Sequence, residues 1–182
     1  MRKLALLFSF LAAPALATGI EIEVTGEASG TIAIDLLEDV APKHAERIAA
    51  LARKGAYDGV VFHRVIEGFM AQTGDVAFGR LGSGTLSRAG AGGSDLPNLK
   101  AEFSDIPFER GVVGMARSMS PDSANSQFFI MFAPAPHLNG KYTVVGRVTR
   151  GMKVVDAIKR GRGQSGTVTG KPDMMKKVTV TD

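Results

Sequence analysis

Arg64 stands between Phe62 and Ile66 in the stretch FHRVIEGFMAQTGD (residues 62–75), and Gln72 follows beside Met70. A second stretch, SQFFIMF (residues 126–132), sets Gln127 two positions before Phe129. If 60–66, 69–74 and 127–132 are strands, alternate side chains share a face. Phe62 then pairs with Arg64, Met70 with Gln72 and Gln127 with Phe129, each an apolar group beside a hydrogen-bonding one. Such strands would line a small pocket that grips something apolar and aims a few donors at it. Phe69 has the opposite parity to Met70, so its place depends on the backbone just after Gly68. Without that company Arg64 would read as a surface ion-pair member, and Met70, Phe129 and Leu138 as ordinary core.

Other chemistries are poorly provided for. The chain has no cysteine, which removes thiol catalysis, zinc–cysteine sites and disulfides together. His63, His137 and Asp75 lack the spacing of metal ligands. Glu67 and Asp75 make no convincing acid–base pair for hydrolysis. His63, of opposite parity to Arg64, reads as a hydrogen-bonded structural histidine, and His44 as a solvated one.

The elements that must position these residues are mostly strands. IEIEV (20–24) and TIAIDLL (31–37) alternate apolar and polar side chains, the pattern of half-buried strands. Further candidates at 60–66, 69–74, 112–116, 127–132, 143–148 and 177–181 bring the total to eight. Pro42, the stripe Ala45, Ile48, Ala49 and Ala52, and a stop at Gly55 predict a first helix. GMKVVDAIKRG predicts a second, closed by Gly161. Eight strands and two short helices suggest a closed or nearly closed β-barrel with helices over its ends. Residues 79–98, rich in Gly and Ser without period, predict a long loop that is functional or mobile.

At the start of the chain Arg2 and Lys3 precede an apolar block (Leu4–Ala13), and Ala15-Leu16-Ala17 offers a small-residue cleavage pattern. This reads as a secretory signal peptide over 1–17, followed by one domain over 18–182. The block is too short for a membrane-spanning helix, which takes about 20 apolar residues. Without Arg2 and Lys3, 20 basic residues face 18 acidic ones. A net charge of +2 with scattered basic groups does not argue for nucleic acid, whose binding shows as a concentrated basic face.

FHRVIEGFMAQTGD, GVVGMARSMSPDSANSQFFIMF and HLNGKYTVVGRV together resemble the cyclophilin family of peptidyl-prolyl cis/trans isomerases, most of all its exported bacterial branch. The resemblance runs over nearly the whole chain after residue 17 and implies a mainly β fold, a closed eight-stranded antiparallel barrel capped by two α-helices. It implies that Arg64 is the catalytic arginine, supported by Gln72. It places the proline pocket on Phe69, Met70, Phe129 and Leu138, with Ala116 and Gln127 along the peptide groove. Three positions depart from the family's usual residues: Arg117 stands where asparagine is usual, His137 where tryptophan or another aromatic is, and Tyr142 where histidine is. The glycine-rich loop also lacks the common G-T-G-G-x-G-Y run. These departures bear on groove contacts and substrate preference. The implied reaction makes and breaks no covalent bond, so neither metal nor cofactor is expected. The implied partners are proline-containing polypeptides met in the periplasm, by a monomer without stable membrane insertion and without nucleic acid. Two rivals remain: a peptide-binding holdase with little catalytic rate, and a small-ligand carrier barrel. The first would not need Arg64 beside Gln72. The second would be hollow, whereas Ile32, Ile34 and Leu36 with Phe128, Ile130 and Phe132 suggest a filled interior.

Overall fold

The computed structural model describes residues 18–181, so the expected signal segment lies outside the described residues. The chain runs β1 (Gly19–Thr25), β2 (Gly30–Leu36), α1 (Pro42–Arg53), β3 (Val60–Val61), β4 (Arg64–Ile66), β5 (Met70–Thr73), β6 (Val112–Met115), β7 (Phe128–Met131), β8 (Val144–Arg150), α2 (Met152–Ala157) and β9 (Met174–Thr181). The strands form one sheet in the order β3-β9-β1-β2-β8-β6-β7-β5-β4, with every pairing antiparallel. It is a nine-stranded sheet curled into a half-barrel, not the closed eight-stranded barrel expected.

The extra strand comes from 60–66, which is not continuous. Phe62 and His63 interrupt it, leaving β3 and β4 on opposite edges of the sheet. The same break overturns the shared face expected for Phe62 and Arg64. Phe62 is fully buried in the main core beside Val65, whereas Arg64 faces the other way, into a surface recess. Parity carries along a strand only while the ladder is unbroken. Here Phe62 N–H bonds the Asp173 carbonyl and the His63 carbonyl accepts from Val168, so both leave the ladder for the segment after α2.

Inside the curl, Ile20, Ile22, Ile32, Ile34 and Leu36 meet Phe128, Ile130 and Phe132, and the interior is filled by side chains. On β1 the alternation works as expected: Ile20, Ile22 and Val24 are buried, while Glu21 and Glu23 pair with Arg150 and Lys176 outside. A second, smaller apolar cluster lies on the other face of the sheet, around Met70, Phe108, Phe129, Met131 and Leu138.

Helix α1 starts with Pro42 at its first turn, and Ala41 offers no side-chain cap. The cap comes from far along the chain. Glu102 accepts the N–H groups of Lys43 (3.3 Å) and His44 (3.2 Å) and the His44 ring Nδ1 (2.6 Å). His44 is completely buried, not solvated. Partial burial of Glu102 disfavours its charge, but the His44 ring and the two backbone donors outweigh that and hold its carboxyl below the ordinary value. Helix α2 stops at Ala157, short of the expected Gly161, because Asp173 takes the Lys159 N–H at 2.7 Å and the backbone turns extended at Ile158. Gly161 serves a different purpose: a Cβ there would lie 1.8 Å from the Gly166 carbonyl oxygen. That close approach folds residues 161–167 back along β4, where Gly161 N–H bonds the Val65 carbonyl and Val65 N–H bonds the Gly166 carbonyl.

Candidate active site

The register of three strands builds the site. Arg64 on β4 lies opposite Gln72 on β5, Gln72 opposite Phe129 on β7, and Phe129 opposite Gly114 on β6. Two residues along each strand, Ile66, Met70 and Met131 make a parallel row on the same face. Residues directly opposite in a ladder have Cβ atoms about 4.5–5.5 Å apart, so each row is a set of touching side chains. Gly114 has no side chain because the Phe129 ring lies over it; a Cβ would come within 2.5 Å of that ring. Phe129 is thereby stacked on Phe108, with centroids 5.8 Å apart.

The turn joining β4 to β5 settles the place of Phe69. Its N–H bonds the Ile66 carbonyl, and Gly68 takes φ +70°, the conformation that glycine supplies at the third position of such a turn. Phe69 is thus swung to the rim, partly exposed, against His137 with centroids 5.6 Å apart.

Together these residues line a recess of about 300 Å³. Its floor is Met70, Phe129 and Leu138, all buried. Phe69, His137 and Tyr142 form its rim, with Arg64, Gln72, Ala116 and Arg117 along one side. Every lining residue expected from sequence therefore meets here except Gln127, which lines the neighbouring groove and touches the recess through Gln72.

The polar groups form one relay. Arg64 Nε donates to the Ser165 carbonyl (3.0 Å) and Nη1 to Gln72 Oε1 (3.2 Å). Gln72 Nε2 donates to Gln127 Oε1 (2.9 Å), and Gln127 Nε2 to the carbonyls of Gly90 (3.0 Å) and Gly92 (2.7 Å). The loop carrying those glycines is tied down by Asp75, fully buried, whose two oxygens accept the N–H groups of Ala77, Phe78, Gly90 and Gly92. These four N–H groups satisfy both oxygens of a carboxylate that burial cuts off from water. This part of 79–98 is therefore anchored scaffolding for Gln127. Sequence reasoning missed it, although the Asp that closes QTGD and the run Gly90-Ala91-Gly92-Gly93 carried the signal. The hold of Ser165 on Arg64 left no signal at all.

His63 lies behind the relay, 7% exposed, and neither ring nitrogen makes a hydrogen bond among the described residues. The hydrogen-bonded histidine expected from sequence is thus buried but unpaired. Burial pushes its pKa below the ordinary 6.5, Arg64 adding to this, while Asp75 and the nearby Val61 carbonyl and Gln127 side chain partly oppose it. A neutral imidazole behind a guanidinium does not compete with it for charge.

The sequence pattern of cyclophilin type peptidyl-prolyl cis-trans isomerases (the isomerase/CLD family) matches residues 20–180. The chain belongs to the cyclophilin family. Among curated cyclophilin relatives, a probable peptidyl-prolyl cis-trans isomerase of Brucella suis is 57% identical over 152 residues, covering 83% of this chain and 78% of that one. A peptidyl-prolyl cis-trans isomerase-like 1 of Aspergillus fumigatus is 42% identical over 130 residues, covering 69% and 74%. Among solved structures, the cyclophilin AquaCyp293 of Hirschia baltica superposes with a TM-score of 0.72 at 26% identity, covering 88% of this chain and 73% of that one. A Cryptosporidium parvum cyclophilin, solved in the presence of the dipeptide Ala-Pro, gives 0.75 at 24% identity, covering 90% and 99%, a likeness of fold. This cyclophilin is accordingly an enzyme, a peptidyl-prolyl cis-trans isomerase.

Proposed function

We propose that the recess holds the proline ring of an X-Pro segment while Arg64 stabilises the twisted amide. Rotation about the peptide bond meets a barrier of about 18–20 kcal/mol, and X-Pro bonds relax unaided over roughly tens to hundreds of seconds. Conjugation is lost at the top of that barrier, and a lone pair then appears on the proline nitrogen. A donor aimed there binds the transition state and not the ground state. The observation that carries this reading is the fixation of Arg64: Nε and Nη1 are held by Ser165 and Gln72, while Nη2 makes no hydrogen bond among the described residues. A guanidinium suits the task because it stays charged and its donors are planar and rigid. Gln72, locked by Gln127, is the positioning residue.

Arg64→Ala is expected to keep the fold and lose on the order of a hundredfold in kcat/KM on a short X-Pro peptide, the scale of removing one aimed donor. An unchanged rate would sink the assigned role. Tight peptide binding by wild type with negligible turnover would favour the holdase reading instead.

Its clients are exported polypeptides, and the enzyme itself works in the periplasm, released after Ala17. The support is the n-region, apolar block and A-x-A pattern of the first 17 residues. A mass spectrum of the mature protein should show Thr18 as its first residue; Met1 retained on a cytoplasmic protein would contradict this. It works as a monomer: among the described residues only Phe103 and Met119 are large apolar side chains left exposed, short of the patch a stable dimer interface buries.

A further inference from the structure

Three hollows meet at Gln72. The first is the proline recess. The second, about 490 Å³, runs from Gln72, Ala116 and Arg117 toward Gly93 and Asn125. The third, about 370 Å³, lies between Arg64, Gln72 and Arg88. No Asp or Glu lines any of them, and each has an arginine in its wall.

Elsewhere on the surface, six cations are neutralised by a carboxylate. Arg110 pairs with Asp156, Arg150 with Glu21, Lys159 with Glu27, Arg160 with Glu67, Lys176 with Glu23 and Lys177 with Asp58. Arg64, Arg88 and Arg117 have no carboxylate partner among the described residues. Arg88 lies over the Phe78 ring, 3.8 Å from its centroid. Arg117 donates to the carbonyls of Lys141 (2.9 Å), Ser118 (2.9 Å) and Met119 (3.3 Å) and lies over the Tyr142 ring, 4.3 Å from its centroid. Carbonyls and rings fix a guanidinium without cancelling its charge. Asp75, the carboxylate beneath the adjoining loop, is fully buried and already meets four backbone donors.

Resting on the isomerase reading of the recess, we infer that this groove selects X-Pro segments carrying an acidic side chain within two residues of the proline, and that Arg117 is the residue that reads it. Arg117 lines both the proline recess and the hollow beside it, so a peptide lying across Gln72 and Ala116 passes its guanidinium. It is partly buried and already ordered. An incoming carboxylate therefore displaces no counter-charge and immobilises no floppy side chain. Arg88, exposed at the far side, adds to the field that draws an acidic segment in.

The test is a set of short X-Pro peptides with Asp, Asn or Lys at each of the two positions before proline and the one after. Both kcat/KM and the affinity of fluorescently labelled peptides are read for wild type, Arg117→Gln and Arg117→Lys. At one or more positions Asp should be preferred to Asn by on the order of threefold to fivefold, the scale of a solvent-accessible guanidinium–carboxylate pair, with Lys disfavoured. The preference should shrink in about 0.5 M salt, vanish in Arg117→Gln and survive in Arg117→Lys. Equal affinities for the three peptides at every position, or an Asp preference that Arg117→Gln keeps, would overturn the selection. Absence of turnover on every peptide, with the binding preference intact, would instead overturn the isomerase reading and leave the charge selection standing.

Discussion

Arg64, Gln72 and Gln127 each pass one hydrogen bond to the next, and His63 stands behind them with neither ring nitrogen paired. That unpaired imidazole ties the stability of the site to pH. The folded state keeps His63 neutral below the ordinary 6.5, whereas the unfolded chain protonates it near that value. As pH falls below 6.5 the unfolded state therefore binds a proton that the native state refuses. Stability present above that pH is lost until the depressed native pKa is reached. Unfolding midpoints in urea at pH 7.5 and 5.5 should differ for wild type and differ less for His63→Gln. The slope is the readout, so a general destabilisation by the substitution does not obscure it; equal slopes would show that His63 carries no share. Glu102, whose depressed pKa makes its contribution fade only as pH drops below 4.5, lies outside that window. At this scale the sequence was informative where side chains alternate along unbroken strands, as for Met70 with Gln72 and Gln127 with Phe129. It misled at Phe62, because a two-residue break is invisible to a period of two. It was silent on what Arg117 touches, since Lys141 lies 24 positions away.

The loop after β5 and the cap of α1 show how elements depend on single distant carboxylates. Asp75 gathers four N–H groups of its own loop, and through Gly90 and Gly92 it sets the carbonyls that hold Gln127. Asp75→Asn would leave one oxygen to accept and turn a donor toward the remaining N–H groups. Leaving buried donors unmet costs about 1–3 kcal/mol. The variant should be destabilised by about that much, and amide hydrogen exchange at Gly90 and Gly92 should accelerate more than in β1 or β2. Uniform exchange across the molecule would mean that the loop is held some other way. Isomerase activity should fall along with it, since Gln72 and Arg64 inherit their order from this loop. Helix existence was legible from Pro42, the apolar stripe and Gly55; the length of α2 was not, because Asp173 captures the Lys159 N–H from outside the helical pattern. Local signals foretell where an element begins more readily than where a remote side chain ends it.

For the molecule as a whole, the order of the sheet matters more than the number of its strands. β9, made of the final residues of the domain, lies between β3 and β1, and β3 has no other strand as its neighbour. Gly19 thus pairs with Thr181, and the beginning of the domain is stitched to its end. Pairings that span the whole chain are closed late and slowly, since loop entropy is lost before they return anything. In a nascent polypeptide from which β9 has not yet emerged, β1 would present a raw edge and β3 would hang loose beside the stretch that carries Arg64. Such a chain cannot complete its curl until β9 is available. That delay makes this prolyl isomerase a late folder by its own topology.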